Sequence, residues 1–100
     1  MISLHLSESY DNTWVLDTGS AYHICNSLQV LARPRRLQRG EMDLKMGNGA
    51  KVAIVAVGEV TLHLSSGVII VLNTCYFISS IIKNIISITC LIVSGNKLVF

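Results

Sequence analysis

The feature that most constrains the fold is a series of short segments in which apolar and polar residues alternate, separated by turn-forming residues. Alternation of this kind runs from residue 2 to 6 and again from residue 60 to 64. It is typical of β-strands with one buried face. The chain of 100 residues is 51% hydrophobic and 14% charged, which excludes a disordered chain and leaves room for one domain. The sequence therefore predicts a single all-β domain.

Glycine-containing turns predict two hairpins. Residues 42–46 begin a strand that reverses at Gly47, Asn48 and Gly49, and residues 51–57 return. Residues 60–64 lead to a second turn at 65–67, after which residues 68–72 run back.

Two other segments carry different patterns. Ile82, Ile85, Ile86 and Cys90 fall at helical spacing, which predicts one short helix, although β-branched side chains argue weakly against it. The arginine-rich residues 33–40 are predicted to form a solvated surface loop, with contact to RNA or to a polyprotein as the less favoured alternative.

Charge is concentrated in the first 60 residues. All six acidic residues precede residue 60, and only Lys83 and Lys97 are charged after it. The apolar second half therefore needs a cover, and a second copy of the chain is its natural source, so we expect a homodimer. The formal net charge of +2 is too small to predict nucleic-acid binding. Residues 68–93 are apolar but contain Lys83 and two asparagines, so we expect a buried globular segment and no membrane span.

The cysteines indicate neither a disulfide framework nor a metal site. Cys25, Cys75 and Cys90 are odd in number and show no Cys/His ligand spacing. The first residues lack the basic start and apolar stretch of a signal peptide. We therefore expect a reducing compartment, no bound metal and no cofactor.

Asp17 is the residue that most directly indicates chemistry. It ends the apolar strand of residues 14–16 and is followed by Thr18, Gly19 and Ser20. An apolar strand followed by Asp-Thr-Gly-Ser is the signature of an aspartic protease half-site, in which Gly19 lets the backbone turn beneath the carboxylate. The chemistry requires two carboxylates about 3 Å apart that share one proton. Since the chain contains a single motif of this kind, the pair requires a two-fold dimer that places Asp17 against its copy.

Four segments resemble one known family. They are residues 14–26, 44–49, 57–62, and 72–78 together with 83–88. From about residue 14 to 91 the chain resembles the retropepsin-type aspartic protease domain of a plant copia-type LTR retrotransposon Gag-Pol polyprotein, a transposon TNT-like beta-barrel domain. The resemblance implies a closed barrel of short antiparallel strands with one short C-terminal helix. It also implies one domain over residues 1–100, with a core at about 13–92, within a longer polyprotein.

The resemblance further implies an aspartic endopeptidase that cleaves Gag-Pol peptide bonds in the cytoplasmic virus-like particle of a retroelement. Asp17, Thr18 and Gly19 would be catalytic. Ser20 would hold Asp17 through its hydroxyl and border the substrate. Gly47, Asn48 and Gly49 would form the tip of a flap over a bound polyprotein peptide, the alternative being an ordinary hairpin turn. The expected pocket walls are Val52, Ile54, Ile81 and Ile82, whereas the expected core residues on the helix are Ile85, Ile86 and Ile88.

Departures from the family pattern leave alternatives open. Ser79 stands where the family commonly has proline, and Ile82 stands at the nearest equivalent of a glycine in retroviral relatives. The chain is therefore either an active protease subunit or a catalytically inactive retroelement-derived domain that serves binding or dimerisation. A monomeric cellular domain of the ubiquitin-receptor or proteasome-shuttle type is a weaker third reading. His23 is expected to be a satisfied structural histidine, with a place at the border of the cleft as the alternative.

Overall fold

The chain folds almost entirely into short β-strands. A computed structural model describes residues 2–5, 13–45, 49–89 and 91–100. Within these residues there is one short 3₁₀ helix, Leu28–Val30, and the strands are β1 (Ile2–His5), β2 (Thr13–Asp17), β3 (His23–Cys25), β4 (Ala32–Arg36), β5 (Asp43–Lys45), β6 (Lys51–Ala53), β7 (Ala56–His63), β8 (Ile69–Phe77), β9 (Asn84–Ser87), β10 (Ile92–Ser94) and β11 (Lys97–Val99). The all-β prediction is confirmed.

Nine strands form one mixed sheet. Its main path runs β1-β2-β9-β3-β8-β11-β10, β7 also pairs with β8, and β4 pairs with β7. Among the described residues, the end strands β1 and β10 each pair on one side only, so the expected closed barrel is not found there. Strands β5 and β6 form a separate two-stranded sheet.

Two clusters of buried side chains hold these layers together. The larger contains Trp14, Leu72 and Ile86, which are fully buried, and lies against the main sheet. The smaller joins the β5–β6 hairpin to the main sheet through Leu44 and Ile54, which pack with buried residues of β3 and of the segment after β8. Burial of apolar side chains on both sides of the hairpin base therefore fixes the position of the hairpin.

Both predicted hairpins are present. Strands β5 and β6 pair antiparallel from Asp43 opposite Ala53 to Lys45 opposite Lys51, and the return strand ends earlier than expected. Strands β7 and β8 form the second hairpin, whose turn contains Gly67 with φ of +92°, a conformation that glycine adopts without strain.

The predicted C-terminal helix is wrong, because residues 84–87 form strand β9. This strand pairs parallel to β2, and Ile85 lies opposite Ile24 of the antiparallel neighbour β3. Ile86 is fully buried in the larger cluster. β-Branched side chains lose less freedom on a pleated, covered surface than in a helix, and here this preference prevails. Cys90, the last residue of the helical pattern, lies outside the described residues.

The arginine-rich residues 33–40 were predicted to be a loop, which is confirmed for residues 37–40, whereas residues 33–36 belong to the exposed edge strand β4. Every residue of β4 is exposed, so the predicted solvation is confirmed. The strand is irregular, because its register with β7 shifts between Ala32 and Arg35 and Arg33 has φ of +49°.

The apolar segment of residues 68–93 supplies β8, β9 and part of β10. The part of the chain that the structure describes contains no helix with the length and apolar character needed to cross a membrane.

Candidate functional site

Asp17 lies at the end of β2, where the strand leaves the core. Trp14 and Val15 of the same strand are buried, whereas Asp17 is half-buried and the following residues Thr18 and Gly19 are exposed. The backbone N–H of Gly19 donates to Oδ1 of Asp17 at 2.8 Å. A Cβ at position 19 would lie only 3.3 Å from the same oxygen. The glycine thus leaves the carboxylate room and fixes its orientation.

A cavity of about 460 Å³ opens beside Asp17. Its walls come from the loop after β2, from β3 and β9, and from strand β5 of the hairpin. The lining residues are Asp17, Gly19, Ser20, Ala21, Tyr22, Ile24, Leu44, Lys45 and Ile85. The volume falls in the range of sites that bind small molecules or a few peptide side chains.

The structure brings several predicted site residues together and leaves others apart. Asp17, Gly19 and Ser20 share the cavity. Gly49 is exposed, with φ of +87°, between the strands of the hairpin, whereas Gly47 and Asn48 lie outside the described residues.

None of the expected pocket walls lines this cavity. Ile54 is buried in the smaller cluster, where Val52 and Ile81 pack against it. Ile82 is 88% exposed, and together with Ile81 it lines another cavity of about 370 Å³, which shares Ile85 with the first.

The apolar walls are instead formed by Ile24, Leu44 and Ile85. Ile85 was expected to be a core residue on a helix. On a strand, successive side chains point to opposite faces, so that Ile86 enters the core and Ile85 faces the cavity. A strand assignment for residues 84–87 would have found this residue.

The Ser20 hydroxyl was expected to hold Asp17, but it forms its hydrogen bonds with Tyr22 instead. The hydroxyl donates to the carbonyl oxygen of Tyr22 at 2.7 Å and accepts from the Tyr22 amide at 3.2 Å. The carbonyl oxygen of Ser20 accepts a hydrogen bond from the Ser87 hydroxyl at 2.6 Å. Ser20 therefore shapes the loop after Asp17 and connects it to the end of β9.

His23 is half-buried and hydrogen-bonded, as predicted for a structural histidine. Its Nδ1 accepts from the backbone N–H of Ser87 at 2.9 Å. Burial lowers the pKa of His23, and a hydrogen bond to the backbone of Phe100 acts in the opposite direction. The imidazole also borders a cavity of about 330 Å³, which shares Ala21 and Tyr22 with the cavity beside Asp17.

Ser87 was missed by the sequence analysis. It is 3% exposed and lies opposite Asp17 in the parallel pairing of β2 with β9. The register of two strands separated by about 70 positions in the chain leaves no local sequence signal, so Ser87 becomes visible only once the pairing is known.

Nothing in the described residues groups three or more potential metal-ligating side chains of the His, Cys, Asp or Glu type. Cys25 and Cys75 are buried free thiols. The neighbouring Cys25 side chain and burial raise the pKa of Cys75, so this thiol stays protonated.

The arginines of β4 are partly neutralised. Arg33 lies 3.3 Å from Glu59, and Arg35 lies 2.9 Å from Glu41. The Arg35 hydrogen bond lowers the pKa of Glu41. A patch paired in this way is weak support for a nucleic-acid interface.

Comparison with known proteins finds a family model that matches most of the chain. A family model described as "Pol polyprotein, beta-barrel domain" matches residues 14–96, from the buried start of β2 to the turn after β10. Searches of curated proteins and of solved structures returned no significant match.

Proposed function

Because the chain belongs to the family of Pol polyprotein beta-barrel domains, we propose that it is the aspartic endopeptidase subunit of a retroelement polyprotein. The observation that carries the proposal is the Asp17 loop. An Asp-Thr-Gly-Ser sequence ends a buried strand and opens into a cavity with apolar walls. The finer assignment, to a retropepsin-like protease of a plant copia-type element, rests on the resemblance of the sequence segments.

The proposed chemistry uses two copies of Asp17 in a homodimer. One carboxylate accepts a proton from a water molecule, whose oxygen attacks the carbonyl carbon of the peptide bond. The other, protonated, donates its proton to the carbonyl oxygen. The hydrogen bond from Gly19 orients the carboxylate before substrate arrives. Thr18 is exposed at the tip of the loop, where it is available to the partner loop.

The proposed substrate is an extended segment of the Gag-Pol polyprotein. It would lie between the Asp17 loop and the β5–β6 hairpin, with apolar side chains against Leu44 and Ile85. The hairpin would act as the flap that covers the peptide and excludes water, and the glycines of its tip would supply the bend. The same proposal assigns the domain to a cytoplasmic virus-like particle and requires no metal, membrane or nucleic acid.

The test is cleavage of a Gag-Pol-derived polypeptide at mildly acidic pH by the purified protein and by Asp17→Asn at equal concentration. Asp43→Asn is the matched control, because Asp43 is an exposed residue of β5 that does not line the cavity. We expect cleavage by the parent and by Asp43→Asn, and a loss of at least about 10³-fold in Asp17→Asn.

Two outcomes would overturn the proposal. Equal cleavage by Asp17→Asn and the parent would show that Asp17 is not catalytic. No cleavage by any of the three folded proteins would favour the alternative, a catalytically inactive domain that serves binding or dimerisation.

A further inference from the structure

The loop after Asp17 is joined to β8 by the edge-to-face contact of Tyr22 with Tyr76, and a second connection, to β9, runs through two residues, Ser87 and His23. We propose that these two are positioning residues for Asp17, and that only the neutral imidazole of His23 keeps the loop in its working arrangement. The inference rests on the proposed function for its catalytic consequence, and its structural part is tested separately.

Ser87 forms hydrogen bonds through both its hydroxyl group and its backbone N–H. Its hydroxyl donates to the Ser20 carbonyl oxygen at 2.6 Å, and its N–H donates to Nδ1 of His23 at 2.9 Å. The Thr89 hydroxyl lies 3.0 Å from the Ser87 hydroxyl. Because the single Ser87 hydroxyl proton points to Ser20, the Thr89 hydroxyl is the donor in the third contact.

The other side-chain hydrogen bonds of residues 17–22 in the described structure are local. They connect Gly19 with Asp17, and Ser20 with Tyr22. Local bonds shape the loop but do not fix it relative to the sheet. The Ser87 hydroxyl does so from a strand whose residues are largely buried. Loss of this bond therefore leaves the direction of the Asp17 carboxylate less well determined.

The bond to the Ser87 amide fixes the protonation state of His23. A peptide N–H has no lone pair to offer, so Nδ1 must accept and the ring proton must reside on Nε2. Protonation of Nδ1 would place two N–H groups against each other and separate β3 from the end of β9. Burial lowers the pKa of His23 by more than the hydrogen bond to the backbone of Phe100 raises it, which favours the same neutral form.

Two effects act on the charge of the His23 imidazole at this position: burial, the larger, disfavours the imidazolium, and the hydrogen bond to the backbone of Phe100 favours it. Titratable side chains on the elements around it are Cys75 and Tyr76 on β8, Tyr22 in the loop and Asp17 at the end of β2. Strand β9 supplies none. The cavity beside His23 is lined, among the described residues, by uncharged side chains besides His23 itself. Protonation of His23 is therefore expected to break its bond to Ser87 and release the Ser20 carbonyl.

Two pairs of variants distinguish the loss of one hydrogen-bonding group from a general failure to fold. His23→Asn places Oδ1 close to the position of Nδ1, and its amide is not protonated between about pH 8 and pH 5, where histidines titrate. His23→Leu removes the acceptor. Ser87→Thr keeps the hydroxyl, whereas Ser87→Ala removes it. Thermal unfolding of all four identifies any variant that fails to fold, and the Asn and Thr variants then decide the test.

The structural readout is the amide resonance of Ala21, whose nitrogen is bonded to the Ser20 carbonyl carbon. It is followed by NMR between about pH 8 and pH 5, the range in which histidines titrate. The Asp17→Asn background removes any contribution from Asp17. We expect the Ala21 resonance to shift together with the His23 ring in the parent background, and to stay in place in His23→Asn. An Ala21 resonance that ignores the titration of His23, or that moves equally in His23→Asn, would overturn the inference.

The catalytic readout is kcat for the Gag-Pol-derived polypeptide. We expect His23→Leu and Ser87→Ala to lower kcat by roughly 10- to 100-fold with little change in KM, as for a misplaced catalytic group. His23→Asn and Ser87→Thr should restore it. As the pH is lowered below that of the cleavage assay, the activity of the parent should fall with the protonation of His23, whereas the activity of His23→Asn should fall less. Asp17-dependent cleavage that is unaffected by His23→Leu and Ser87→Ala would overturn the positioning role. Failure of the proposed function would appear as no Asp17-dependent cleavage, with the NMR result still deciding the structural part.

Discussion

Gly58 shows how closely a single residue is constrained where β7 passes β4. A Cβ at this position would lie 2.9 Å from the carbonyl oxygen of Ala32 and 3.1 Å from Cβ of Leu31. Backbone cannot move away as a flexible side chain can. The irregular register of β4 therefore depends on the absence of a side chain at position 58.

We expect Gly58→Ala to lower the free energy of unfolding by about 1–3 kcal/mol, the usual cost of overpacking. Urea denaturation measures the change. Gly67→Asn is the control, since Gly67 has open space around it and asparagine tolerates its positive φ. Equal stability of Gly58→Ala and the parent would show that β4 can shift away at no cost.

Single residues also show what a sequence can and cannot predict about a site. Asp17 and Gly19 were predicted because the motif is local and its chemistry requires those residue types. Ser87 and Ile85 were not, since their roles depend on which strands become neighbours. Ser20 was placed at the site, but its hydroxyl bonds to Tyr22, a choice that loop geometry decides.

At the scale of elements, the β5–β6 hairpin stands out because its strands do not pair with the main sheet. Its strands have three residues each and form their own sheet. Isolated two-stranded hairpins are marginal in water. The buried side chains of Leu44 and Ile54 therefore help to hold the hairpin against the main sheet.

We expect Leu44→Ala to loosen the hairpin more than the rest of the fold. A large-to-small change in a core costs about 2–5 kcal/mol when the site is rigid, and less where an element can open locally. Hydrogen exchange should speed up in β5 and β6 and change little in β8. Lys45→Ala, an exposed change on the same strand, is the control. Uniform acceleration across β5 and β8 would contradict local opening.

The elements differ in how far they could be predicted. Both hairpins followed from turn chemistry, which is local. The run of residues 82–90 is short and apolar, and its spacing fits a helix and a buried strand alike. Residues 84–87 form a strand because they pair with β2 and β3. The edge strand β4 carries charge and proline, features that mark loops and edge strands equally.

At the scale of the whole molecule, the described fold leaves apolar surface and strand edges uncovered. Ile82 and Ile92 are 88% and 64% exposed, and β1 and β10 each have a free edge. Surface of this kind is common where proteins meet partners. The order of strands in the sheet was beyond prediction because it depends on pairings between distant segments, such as β11 with β8. The family match over residues 14–96 agrees with the all-β class.

The central claim is that two copies of Asp17 form one catalytic pair, and mixing parent with Asp17→Asn tests it most directly. At concentrations where subunits are paired and exchange freely, an equal amount of the variant is added to a fixed amount of parent. Because random pairing leaves about half of the former parent dimers intact, the account predicts cleavage at about half the original rate. Adding the same amount of Asp43→Asn should instead about double the rate, since both subunits stay active. A rate unchanged by Asp17→Asn would mean that each chain acts alone, and would contradict the shared site.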